Sequence, residues 1–104
     1  MDGYFKRINP AATEILGYSN EELISTPWIN FVHPNDRSIT VAEAERLNNG
    51  YKTYKFQNRY ITKAGKIVWL DWTSAPDAER DILYAVAKDI TREKNLQELL
   101  DSIA

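Results

Sequence analysis

Residues 51–91 constrain the fold more than any other stretch of the chain. They hold three runs rich in β-branched and aromatic residues, at 51–62, 67–75 and 82–91, separated by turn chemistry. Lys63, Ala64, Gly65 and Lys66 fill the first gap, which is short enough for a hairpin. Gly65 can take the left-handed backbone that such turns need. In the first run, plain alternation puts Tyr54, Phe56, Asn58 and Tyr60 on one face and Lys55, Gln57 and Arg59 on the other. In the second run, Trp69 and Trp72 are an odd number apart and point to opposite faces. Such a sheet packs one face on a core and turns the other outward. Its cover must come from the residues before position 51.

Those residues read as short helices. Tyr4, Phe5, Lys6, Arg7 and Ile8 form a short strand candidate after the turn dipeptide Asp2-Gly3. Asn9 and Pro10 suit a helix cap and first position, and the helix they open runs from Pro10 to Leu16 and stops at Gly17. Ser19 and Glu22 have capping-box spacing for a second helix that ends near Ser25. The apolar segment 28–32 predicts one irregular turn. His33-Pro34-Asn35-Asp36 then opens the longest helix of the first half, with Pro34 first and Asp36 near the positive end of its dipole. Ile39, Ala42, Ala44 and Leu47 give that helix only a loose apolar face, and Asn48, Asn49 and Gly50 end it.

Residues 92–104 are different in kind. Leu96, Leu99 and Ile103 are spaced three and then four apart, with Leu100 beside the seam and charged residues elsewhere. A seam this narrow asks for a partner helix, and the competing reading folds the helix back on its own domain.

Composition narrows the chemistry. A chain of 104 residues is one domain with a single core. Its net charge of -2, with both signs interspersed, argues against nucleic acid or an anionic membrane surface as partner. There is no cysteine, so disulfides, thiolate catalysis and cysteine-ligated metals are excluded. No apolar run reaches membrane-spanning length and no signal peptide stands in front, so a cytoplasmic module without membrane contact is expected. The lone histidine, His33, assembles neither a Ser-His-Asp triad nor a histidine metal site and is read as a helix cap. Glu21 with Glu22 and Glu43 with Glu45 read as solvated helix faces, and no phosphate-binding loop occurs. Catalysis by this chain is not expected.

The order of elements, and specific residues within it, resemble the PAS domain with its C-terminal DIT motif. The residues carrying the resemblance are Asn9-Pro10-Ala11-Ala12, Leu16-Gly17-Tyr18-Ser19, Glu21-Glu22-Leu23, His33-Pro34-Asn35-Asp36, Phe56-Gln57-Asn58-Arg59-Tyr60, Ala64-Gly65, Trp69-Leu70-Asp71-Trp72 and 84–91. Gln57, Ala64 and Ser25 stand where the family usually has Glu, Asp and Gly. The family's first strand would precede Asp2-Gly3, so the resemblance implies a sheet lacking that strand. Pairing with a neighbouring chain is expected at the gap between 4–8 and the last strand.

The resemblance implies an α+β fold, a PAS-like antiparallel sheet covered on one face by short helices, with a C-terminal signalling helix. Residues 1–91 would form the domain, and 92–104 the start of a coiled-coil-like linker. It implies a sensory or dimerising input module feeding an output domain on the same parent chain, a histidine kinase in a phosphorelay. A diguanylate cyclase output, or a pure protein-interaction role, is the alternative. A homodimer is the expected assembly, through the seam Leu96, Leu99 and Ile103. No cofactor is predicted. Haem-binding relatives usually draw a histidine from inside the long helix, and flavin-adduct relatives need a cysteine; this chain has neither. A small-molecule pocket would lie between sheet and helices, lined by Phe31, Leu47, Phe56, Asn58, Tyr60, Leu70, Trp72 and Val86. Asn58, a polar amide on the apolar face, either satisfies a structural hydrogen bond or meets a ligand. Asp89, Ile90 and Thr91 are the expected joint between sheet and exiting helix.

Overall fold

A computed structural model of the chain describes residues 4–5, 10–77 and 82–103, with the side chains at 54, 76, 77 and 82–85 outside that description. The helices α1 (Pro10–Leu16) and α2 (Asn20–Ser25) lead through 3-10 turns at Trp28–Phe31 and Pro34–Asp36 into α3 (Arg37–Asn48). Three antiparallel strands follow, β1 (Thr53–Ile61), β2 (Ile67–Asp77) and β3 (Ile82–Asp89), and α4 (Thr91–Ile103) leaves the sheet. The fold class read from the sequence is thus the one observed, with sheet order β1-β2-β3 among the described residues. Of the stretch 4–8 only Tyr4 and Phe5 are described, and Phe5 packs against the core. Asn9 and the strand pairing expected of 4–8 lie outside the described residues.

Local chemistry fixes the element ends. Gly17 has φ +78° and stops α1, and Lys63 donates its backbone N–H to the Leu16 carbonyl, which ties the hairpin to that helix end. The Ser19 hydroxyl accepts from Glu22 N while Glu22 accepts from Ser19 N, the expected reciprocal cap. His33 Nδ1 accepts from Asn35 N, so the lone histidine does cap a turn. That turn is a 3-10 turn, however, and α3 proper starts three residues beyond Pro34. In the hairpin, Gly65 takes φ +84° and donates its N–H to the Thr62 carbonyl.

The core gathers Leu16, Leu23, Phe31, Val32, Tyr60 and Leu70 between the sheet and the early helices. The inward face of β1 and β2 carries Asn58 paired with Leu70 and Phe56 paired with Trp72. Plain alternation fails at one place: the register shifts between Thr53 and Phe56, and Lys55 takes φ +57°. This bulge turns Thr53 inward opposite Ser74, where both are buried. The α3 stripe also differs from the expected one. Thr40 and Leu47 face inward, while Ile39 and Val41 are exposed. A polar residue enters the core there because a buried amide needs it.

The edge of β1 is closed by the chain itself. Val32 forms an isolated bridge to Tyr60, and His33 N donates to the Arg59 carbonyl. Asp36 Oδ2 accepts the Arg59 backbone N–H at 2.7 Å. Arg59 thereby has both main-chain groups satisfied on a strand edge that would otherwise invite pairing.

Candidate functional site

Two constellations answer to the residues singled out in the sequence, one inside the domain and one at its exit. Inside, Asn58 is 1% exposed and bridges sheet to helix. Its Nδ2 donates to Thr40 Oγ1 at 3.1 Å, and its Oδ1 accepts from Trp72 Nε1 at 2.9 Å. The indole N–H can only donate, which fixes the amide's orientation. The Thr40 hydroxyl in turn donates to the Asp36 carbonyl at 2.7 Å. Asn58 is therefore a satisfied structural amide, held by partners from the chain itself.

Of the other pocket candidates, Phe31, Tyr60 and Leu70 are buried in one cluster with Trp72 packed against it, and Leu47 is buried nearby. Phe56 is half-buried beside them. The Tyr60 and Trp72 rings lie 5.9 Å apart, and burial pushes the Tyr60 phenol well above its ordinary range. Val86 does not belong to this group. It is 72% exposed and pairs with Thr73, because register places it on the outer face of β3. The β3 residues paired with Trp72 and Leu70 are Ala87 and Asp89, and both are exposed. Among the described residues, grooves open elsewhere, one of about 640 Å³ along Asp89, Thr91, Arg92, Asn95, Leu96 and Leu99 and one of about 270 Å³ along Pro27, Trp28, Ile29, Val41, Ala44, Glu45 and Asn48. Neither is lined by any of the eight pocket candidates.

The exit is a compact polar joint. Asp89 Oδ1 accepts from Thr91 N at 2.9 Å and from the Thr91 hydroxyl at 2.6 Å. Thr91 Oγ1 accepts the Trp69 backbone N–H at 2.9 Å, and Ile90 N donates to the Trp69 carbonyl at 2.9 Å. One residue of β2 thus holds both ends of the joint, while Ile90 is buried beneath it. Beyond it, α4 buries none of its residues, and Leu96, Leu99, Leu100 and Ile103 are at least half exposed. The apolar seam faces away from its own domain.

The sequence reading missed an ion pair and what it touches. Arg59 forks onto Asp36, with Nε to Oδ2 at 3.0 Å and Nη2 to Oδ1 at 2.7 Å. The Arg59 guanidinium holds the Asp36 carboxyl below its ordinary range against the opposing effect of burial, and Asp36 raises Arg59 in return. The same guanidinium lies 5.3 Å from the centre of the Trp69 ring, and Lys94 Nζ from α4 lies 4.7 Å from it. The two tryptophans do take opposite faces, and Trp69 is the outer one, half-covered with these two side chains against it. Nothing local marks a pair 23 residues apart. Only the outward alternation of Arg59 and Trp69 on neighbouring strands placed them side by side.

Comparison with known proteins agrees with this architecture. Residues 5–85 match the family model described as the PAS fold. A probable diguanylate cyclase, DgcE of Escherichia coli (strain K12), is 32% identical over 69 residues, covering 65% of this chain and 6% of its own length. The sensor histidine kinase TmoS of Ectopseudomonas mendocina is 27% identical over 100 residues, covering 91% of this chain and 10% of its own. The chain thus spans a tenth or less of these curated relatives. Among solved structures, the N-terminal domain of a diguanylate cyclase with PAS/PAC sensor from Marinobacter aquaeolei superposes with a TM-score of 0.74 at 19% identity, covering 88% of this chain and 89% of that one.

Proposed function

The chain belongs to the PAS-fold family, and we propose that it is the sensory or dimerising input module of a larger signalling protein. In this reading a ligand or partner event changes how helices and sheet pack, and α4 carries the change to an output domain on the same parent chain. The carrying observation is the joint of Asp89, Thr91 and Trp69, whose hydrogen bonds fasten a helix of exposed apolar residues to the sheet. Such a helix completes itself by pairing, so a homodimer in parallel register is the assembly proposed. A histidine kinase in the cytoplasm is the proposed output. A diguanylate cyclase is the second reading, favoured by the similarity to DgcE.

Ligand binding between sheet and helices has less support, since Asn58 is already satisfied by Thr40 and Trp72. An absorption spectrum and native mass spectrum of the purified protein decide it directly. For transmission, Asp89→Ala with Thr91→Ala in the intact receptor should uncouple input from output while the domain still melts cooperatively. Normal signalling by that double variant would overturn the role given to the joint.

A further inference from the structure

The outer face of the sheet holds a chain of contacts that starts ahead of α3 and ends on α4. Asp36 grips Arg59 with both carboxylate oxygens, the guanidinium reaches the Trp69 ring, and Lys94 lies over that same ring. Glu98, one turn further along α4, acts electrostatically on Arg59. Thr91, Lys94 and Glu98 are three and then four residues apart, so they share one face of the helix. The apolar residues Leu96, Leu99 and Ile103 fall on the opposite side. Ordinary amphipathic docking is inverted here: the partly covered residues of α4, Thr91 and Lys94, lie on its polar side, while its apolar residues are exposed.

We propose that Trp69 is the latch that keeps α4 docked on the sheet, and that the Asp36–Arg59 pair sets it from the far side. The inference deepens the input-module reading and rests on it, since it names the contacts by which a shift ahead of α3 reaches α4. Arg59 is the positioning residue. Its fork on Asp36 fixes where the guanidinium lies against the indole, and so where Lys94 and Glu98 find their partners. Asp36 also sits directly before α3 and shares its carbonyl with Thr40, which is bonded to Asn58. A displacement of α3 or of the buried amide therefore moves Asp36. Losing the Asp36 grip frees Arg59 to leave the indole and follow Glu98, so Trp69 loses the side chain packed against it and its contact with Lys94, the hold on the first turn beyond the joint, loosens with it.

The chain has no cysteine, so two can be introduced without background. Thr73→Cys on the exposed outer face of β2 and Ser102→Cys near the end of α4 carry spin labels, and pulsed electron resonance reads their distance in protein diluted with unlabelled chain. Lys94→Gln should lower the ratio of docked to undocked α4 by about two- to fivefold, the measure of one exposed cation–π contact. Asp36→Asn, which never touches α4, should shift the distances in the same direction, and should add little in the Lys94→Gln background. Arg59→Lys keeps the cation but loses the fork, and should give the same shift should Asp36→Asn melt too early to be read. An unchanged distribution in Lys94→Gln removes the latch. A shift in Lys94→Gln with none in Asp36→Asn or Arg59→Lys removes the link through Arg59. Because the measurement needs no output domain, either failure leaves the input-module reading to its own test in the receptor.

Discussion

At the scale of single residues, Asn58 and Asp36 are the side chains whose loss should be felt most. Asn58→Ala strands a donor on Trp72 and opens a small void, which together should cost about 2–4 kcal/mol in urea unfolding. A cost under 1 kcal/mol would show that water or a bound molecule replaces the amide. Asp36 predicts a pH dependence. Its folded pKa is depressed by Arg59, so its stabilisation is complete above the ordinary value of about 3.9 and fades as pH falls through the depressed one. At pH 7, Asp36→Asn should cost about 1–3 kcal/mol, since the pair is partly buried. The melting temperatures of the two proteins should then converge below about pH 4. A gap that stays constant down to pH 2.5 would show that the carboxylate's charge does nothing for the fold.

At the scale of elements, helix caps and the hairpin were open to reading from sequence because each is written in adjacent residues. Ser19 with Glu22, His33 before Pro34, and Gly65 in its turn all behave as their local chemistry dictates. Where the reading failed, the deciding partner was distant. Thr40 enters the core because Asn58 asks for it across 18 residues, and Val86 lies outward because the register of β2 with β3 puts it there. The bulge at Lys55 has no glycine to announce it. For α4, sequence indicated a seam but not which way it would point. Asp89→Ala with Thr91→Ala removes the cap and should cost the helix about 0.5–2 kcal/mol. Circular dichroism should show lost helix signal below the main melting transition; a single unchanged transition would mean that something other than the cap holds α4.

At the scale of the whole molecule, Leu96, Leu99 and Ile103 are the exposed apolar residues on which the proposed homodimer rests. Leu99→Asn with Ile103→Asn should leave the melting temperature of the domain nearly unchanged, because both side chains are more than half exposed. The same variant should sediment as a monomer at concentrations where the parent chain associates. Equal association by both would place the contact between copies somewhere other than α4.

The joint at Thr91 also has a mechanical consequence. From Thr91 to Ile103 the helix is about 18 Å long at 1.5 Å per residue, so a tilt of about 10° at the joint carries its tip sideways by about 3 Å. Paired helices sit about 8–10 Å apart, so that displacement is a third of their spacing. In the proposed dimer the exit helix is a lever whose fulcrum is the side chains of Asp89 and Thr91 and the main chain of Trp69: a change at Trp69 too small to disturb the core would become, at the far end, a different fit between two helices.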